Sequence, residues 1–223
     1  MKITILTLFP KMIEPIINSS ILKRASENSL VEFEVINFRD FSTNKHKTVD
    51  DTPYGGGSGM VISVEPIYNA LESMSFRGHK ILLSPQGVLF DQEKAKDLSK
   101  RDELVFICGH YEGFDERVVE FIDEEVSLGD FVMTGGELAA LAMIDATVRL
   151  IPGVLGSRES YENDSFYNDY LDYPQYTKPR DFKGMKVPEV LLSGNHQKID
   201  QWRKEMQKKR TQEKRPDLMK KTQ

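Results

Sequence analysis

Apolar and polar positions alternate with a period of two in KITILTLF, from Lys2, and again in VEFEVINF, residues 31–38. Rich in β-branched and aromatic residues, both read as strands. Between them Pro10 opens a stretch whose apolar positions Met12, Ile13, Ile16, Ile17, Ile21 and Leu22 fall at helical spacing. KILLS (80–84) and ELVFICG (103–109) are short apolar runs closed by turn residues, which suits strands buried on both faces of a parallel sheet. VEPIYNALESM and DQEKAKDLSK read as helices between them. Strands alternating with helices from the first residue to about residue 155 predict an α/β layer on a mostly parallel sheet.

The texture changes after IPGVLGSRES. YENDSFYNDYLDYPQYTKPRDF is rich in Asp, Asn, Tyr and Pro and has no sustained period, as expected of a linker or an ordered loop. VPEVLLSGNHQKIDQWRKEMQKKRTQEKRPDLMKK returns to helical spacing. The expected organisation is an α/β domain over 1–157, a linker over 158–172 and a small all-helical domain over 173–223.

Charge sharpens this division. Residues 178–223 carry 14 Lys/Arg against 6 Asp/Glu, a net of +8, which leaves −13 for residues 1–177. A basic end on an acidic body fits a polyanionic partner such as nucleic acid, and it also fits solvated helix faces. The single cysteine, Cys108, cannot form an intramolecular disulfide and has no companions at metal-ligand spacing, so it reads as a small buried hydrophobe. No charged leader precedes an apolar run, and the longest apolar region is broken by Asp145 and Arg149, so a cytoplasmic protein outside the membrane is expected.

Four loops set glycine beside functional side chains: TPYGGGSGM (52–60), SPQGVLF (84–90), CGHYEGFDERV (108–118) and SLGDFVMTGGE (127–137). Three of them follow expected strands. Each alone fits a plain turn, but loops leaving the carboxyl ends of parallel strands gather on one edge, where ligands bind. None has the Lys-Ser/Thr ending of a P-loop or the GxGxxG of a dinucleotide site, which disfavours nucleoside triphosphate hydrolysis.

PYGGGSGMV, LLSPQGVLF, CGHYEGFDERV, SLGDFVMTGGELAA, RLIPGVLG, DSFYNDYLDYPQYTKP, VPEVLLSGNH and RPDL, in this order, resemble the bacterial tRNA (guanine-N1)-methyltransferase family, TrmD, of the SPOUT superfamily. The resemblance covers nearly the whole chain. It implies transfer of a methyl group from S-adenosylmethionine (SAM) to N1 of the guanine immediately 3′ of the anticodon. It also implies a trefoil knot on the carboxyl side of the α/β domain, a helical tRNA-binding domain, and a homodimer whose active site is shared between chains.

Carried over position by position, the donor cradle comprises Leu83, Ser84, Pro85, Gln86 and Gly87; Gly109, Tyr111, Glu112 and Gly113; and Leu128, Gly129, Asp130, Phe131, Val132 and Met133 with Gly135 and Gly136. Glycine lets backbone groups approach an adenosyl and methionyl ligand closely. Glu112 and Asp130 offer negative charge to a sulfonium, or alternatively fix their loops through backbone hydrogen bonds. The family's catalytic pair falls on Asp164 and Arg149: a base for the N1 proton and a cation for charge gathering on O6. Read without the resemblance, Asp164 is a turn cap and Arg149 a helix-end charge.

Lys178, Arg180, Arg203, Lys208, Lys209, Arg210 and Arg215 are candidate contacts to the anticodon stem-loop backbone. TNKHKTVDDTPYGGGSGM also matches the family, on the substrate side; His46 there reads as a solvent-facing residue within reach of RNA. His110 stands where the family most often has Arg, a departure that bears on one side-chain contact and not on the backbone cradle. No protein cluster is spaced to hold a metal, and a magnesium ion held by RNA or SAM would leave no mark in the sequence. Two other readings compete, a SPOUT enzyme acting on another base or ribose and a non-catalytic RNA-binding protein. The DSF and PQYTKP segments argue against the first, and Arg149 with Asp164 against the second.

Overall fold

The structure is a computed structural model that describes residues 1–73, 78–157 and 159–219. Met74, Arg158 and 220–223, touched by the helix, linker and carboxyl-terminal expectations, lie outside the described residues. The chain divides into two compact units, 1–156 and 157–223.

In the first unit, β1 (Lys2–Thr7), β2 (Glu32–Asn37), β5 (His79–Leu89), β6 (Glu103–Ile107) and β7 (Glu124–Ser127) form one sheet in the order β2-β1-β6-β5-β7. Every pairing in it is parallel. Period-two alternation sends side chains to two separate cores. Ile3, Ile5, Ile81, Leu104 and Phe106 face one core with α1 (Pro10–Ile17), α2 (Ser20–Glu27), α4 (Gln92–Leu98) and α5 (Glu137–Val148). Leu6, Leu82, Val105 and Ile107 face the other, with α3 (Val64–Ser73) and the short 3₁₀ turns Phe38–Phe41 and Glu116–Phe121. Both faces being covered explains why these strands read as continuous apolar runs. Phe106 is fully buried in the first core; its truncation to Ala costs about 3–5 kcal/mol.

The helix expected from Met12 to Leu22 is two helices. Pro15 lies inside α1, Asn18 caps it, the Ser19 hydroxyl bonds the Pro15 carbonyl, and Ser20 takes φ +48°, outside right-handed helix space. β5 runs beyond KILLS to Leu89, and its register against β7 jumps: both Leu83 and Val88 oppose Val126. Residues 84–87 therefore stand out of the ladder as a bulge. A two-residue ladder, β3 (Asp50–Asp51) with β4 (Val61–Ile62), closes the base of the TPYGGGSGM loop. α5 buries eight of its twelve residues and carries apolar Leu138 and Ala142 on its exposed stripe, so its run LAALAMI shows little amphipathic pattern.

The second unit holds α6 (Glu159–Glu162), a hairpin of β8 (Asp181–Phe182) and β9 (Met185–Lys186), α7 (Glu189–Leu192) and α8 (His196–Lys214). The all-helical expectation is corrected by this hairpin. Its turn residues Lys183 and Gly184 have φ of +52° and +84°, the two left-handed positions of a type I′ turn, and the Asp181 carboxylate accepts the Gly184 N–H. The tyrosine-rich segment is tied to α8: Leu171 N–H donates to Thr211 Oγ1 at 2.9 Å and the Arg210 guanidinium to the Asp172 carbonyl at 3.2 Å. Asn195 caps α8 through the Lys198 N–H, which is why VPEVLLSGNHQK breaks into two helices.

Candidate functional site

Because every strand of the main sheet runs the same way, the loops after β1, β5, β6 and β7 emerge on one edge. The loops after β6 and β7, with the 84–87 bulge of β5, enclose a pocket of about 290 Å³. Of the sequence-predicted donor residues, 83–86, 109, 111–113, 128, 129, 131–133, 135 and 136 line it. Gly87 and Asp130 do not. Gly87 serves behind the wall: a Cβ there would lie 2.4 Å from Glu125 C and Val126 N, so only glycine lets the 84–87 bulge rest on the β7 backbone. Phe114, Asp115, Glu116 and Ser127 line the same space and were missed, and of His110 only the backbone was expected there. They fall between or beside glycines, in loops where spacing alone does not say which side chains turn inward.

The loops are fixed to one another through backbone. Gly136 N–H donates to the Gly109 carbonyl at 2.9 Å, joining the β6 and β7 loops. Glu112 N–H donates to Met60 O at 3.0 Å, and Ile62 exchanges bonds with Gly113 and Asp115, docking the end of the TPYGGGSGM loop on the β6 loop. Tyr54, at that loop's tip, is fully exposed. The lining includes the acidic residues Glu112, Asp115, Glu116 and Glu125. Asp115 is forked by Arg117, with contacts of 2.6 and 2.8 Å, and that guanidinium holds its carboxyl below the usual aspartate range. Such a lining favours a cationic ligand over a phosphate. Close backbone approach, an apolar floor from Leu83, Val126 and Ala139, and negative charge at hand fit SAM.

Arg149 is the carboxyl cap of α5, and its N–H donates to Asp145 O at 3.2 Å. The helix separates it from Gly136 by about 20 Å of rise, and it is not part of the pocket wall. Asp164, in the second unit, sits half-buried in the turn after α6, where its N–H donates to Tyr161 O. The basic residues divide into two groups. Arg203 stacks on Tyr173 at 4.9 Å, Arg215 lies over Phe166 at 5.5 Å and pairs with Asp217 at 2.7 Å, and Arg210 reaches Asp172. Lys178, Arg180, Lys208 and Lys209 are exposed. His46 is exposed too, its N–H donating to the Asn44 side chain. Among the described residues no group of three or more His, Cys, Asp or Glu is placed to hold a metal ion, and no helix is long and apolar enough to cross a membrane.

Known proteins give the pocket its context. The sequence profile of the tRNA (Guanine-1)-methyltransferase family, TrmD, matches residues 1–221. Proteins named tRNA (guanine-N(1)-)-methyltransferase from Staphylococcus aureus strains MRSA252, JH9 and Newman are each 55% identical over 224 residues, spanning 99% of this chain and 91% of theirs. With a glycine-built cradle on the carboxyl edge of a parallel sheet and a family match along its whole length, the chain belongs to the TrmD family of tRNA (guanine-1)-methyltransferases.

Proposed function

We propose that the pocket formed by 83–86, 109–113 and 128–136 holds SAM, and that the chain methylates N1 of the guanine immediately 3′ of the anticodon in tRNA. The pocket is the observation that carries this reading: a strand bulge and two strand-end loops meet around a space of suitable size, lined by five glycines, four acidic residues and an apolar floor. When bound, SAM supplies a methyl group on a sulfonium whose sulfur departs as a thioether. What remains for the protein is alignment and proton handling. Asp164 takes the proton from guanine N1 as that nitrogen attacks, and Arg149 stabilises the negative charge that gathers on O6. N1 faces inward in a stacked loop, so the base must be splayed out to reach the methyl group.

The finer architecture belongs to the same proposal. The chain works in the cytoplasm as a homodimer, with the donor loops of one copy facing the second unit of the other, so that Asp164 acts on a donor held by its partner. That Arg149 and Gly136 lie at opposite ends of α5 supports a site completed from beyond the donor loops. A trefoil knot near α5 and a tRNA-binding role for 173–223, reached through the linker 158–172, complete the picture. Its basic side chains grip phosphates, and magnesium enters, if at all, with the RNA or donor.

The test is a methylation assay on unmodified tRNA with the modified atom mapped. Product is expected at N1 with guanine after the anticodon and not with adenine there. Asp164→Asn lowers kcat by about a hundredfold or more. Methylation of the adenine-bearing tRNA, or full turnover by Asp164→Asn, overturns the assignment.

A further inference from the structure

A hydrogen-bonded set at the edge of the pocket has no part in the proton transfer. Glu137 opens α5, and its side chain is 1% exposed. Its Oε1 accepts from Thr7 Oγ1 at 2.6 Å, while that hydroxyl oxygen accepts the Phe9 N–H at 2.9 Å. The single hydroxyl proton of Thr7 is thereby committed to Glu137. Oε2 lies 2.9 Å from His110 Nε2. A carboxylate has only acceptors to offer, so Nε2 is the imidazole nitrogen that carries the proton. The Phe9 ring leans on the His110 ring, centroids 4.4 Å apart. His110 also covers Gly135, where a Cβ would fall 2.1 Å from Nε2. Thr7 ends β1, His110 follows β6, and Gly135 and Glu137 close the loop between β7 and α5. One ring therefore ties together the ends of three parallel strands, at the pocket wall.

We propose that His110 is a positioning residue for the methyl donor: braced by Glu137, Thr7 and Phe9, its ring sets the spacing between the 109–113 and 131–136 loops on which the donor rests. This rests on the reading of the pocket as the SAM site. The ring does so without touching the reacting atoms. Its loss leaves the backbone bond from Gly136 to Gly109 as the tie between the two loops, removes the side-chain brace beside it, and leaves the buried Glu137 carboxylate short of one donor. Alanine at 135 would act through the same ring, by displacing it, and Gly135 does not have the positive φ that would strain the backbone on substitution.

The experiment is calorimetric titration of SAM into the full chain and into His110→Ala, His110→Gln, Gly135→Ala and the His110→Ala/Gly135→Ala double variant. His110→Ala and Gly135→Ala are each expected to weaken SAM binding about tenfold, the cost of one charge-assisted hydrogen bond. His110→Gln, whose amide N–H reaches Glu137, retains most of the affinity. In the His110→Ala background Gly135→Ala costs nothing further, because the ring it displaces is gone. Unchanged binding by His110→Ala, no rescue by Gln, or additive losses in the double variant each overturn the brace while leaving the donor site standing. Failure of the wild-type chain to bind SAM overturns the donor site itself, and the brace with it. Should His110→Ala not fold, Gly135→Ala carries the comparison, and its binding SAM as the wild type does overturns the proposal.

Discussion

Arg203, Arg210 and Arg215 look alike in a charge count and differ in what they touch. Arg210 reaches the Asp172 carbonyl, and Arg203 and Arg215 lie over the rings of Tyr173 and Phe166. Their cost on truncation is therefore partly structural. Arg203→Ala and Arg210→Ala are expected to lower the stability of the second unit by about 1 kcal/mol each, read as a drop in melting temperature without RNA. Lys208→Ala and Lys209→Ala, both at exposed positions, leave the melt unchanged and weaken tRNA binding with a smaller salt dependence. A Lys208 variant that melts early, or an Arg210 variant that does not, contradicts this division. The sequence could count these cations but not sort them, because the stacking partners lie up to 49 residues away along the chain, in a segment without periodicity.

Among elements, the strands with clean alternation or dense apolar runs, β1, β2 and β6, were legible because burial on a sheet imposes their pattern. Two-residue ladders and the β8–β9 hairpin were not: their signal is turn chemistry at Lys183 and Gly184, too short for any period to register. The continuation of β5 through SPQGVL was hidden for a different reason. A bulge breaks the alternation while a neighbouring backbone keeps the segment in place.

At their amino-terminal ends β5 and β7 are pinned by charge. Glu124 sits between Lys94 Nζ at 2.6 Å and His79 Nε2 at 2.7 Å. Burial opposes its ionisation, yet these two partners hold its carboxyl below the ordinary value of 4.5. The pair's contribution is thus fully present above about pH 4.5 and is lost as pH falls through the depressed folded-state value. Glu124→Gln should cost about 1–2 kcal/mol near neutrality, and urea melts should show the wild type converging on the variant in acid. Parallel pH profiles for the two would remove this role from Glu124.

At the scale of the whole molecule, the proposed sharing of sites between two copies makes a prediction that no single-chain site can meet. Met133→Trp, which crowds the pocket wall, and Asp164→Asn should each be inactive as homodimers. Unfolded together and refolded, half the dimers are mixed and each mixed dimer keeps one intact site of two, so about a quarter of wild-type activity returns. No recovery from a mixture shown to contain mixed dimers sinks the shared site. The pocket itself was legible because glycines at strand ends are a local signal and parallel strands gather them by geometry. Its inward-facing side chains were not, since His110 and Phe114 owe their direction to loops that hydrogen-bond across the sheet edge.

Cys108 directly follows β6 and packs in the core with α5, 1% exposed, and burial, with the nearby Glu137 charge, pushes its thiol well above the usual range. Since it is the only cysteine, the folded chain presents no reactive sulfur: a thiol reagent such as Ellman's should stay colourless until denaturant is added. The molecule is then a blank background for chemical tagging. A cysteine placed at exposed Gln212 would be the sole point of attachment for a dye, and the arrival of tRNA at α8 could be watched directly without removing a native cysteine first.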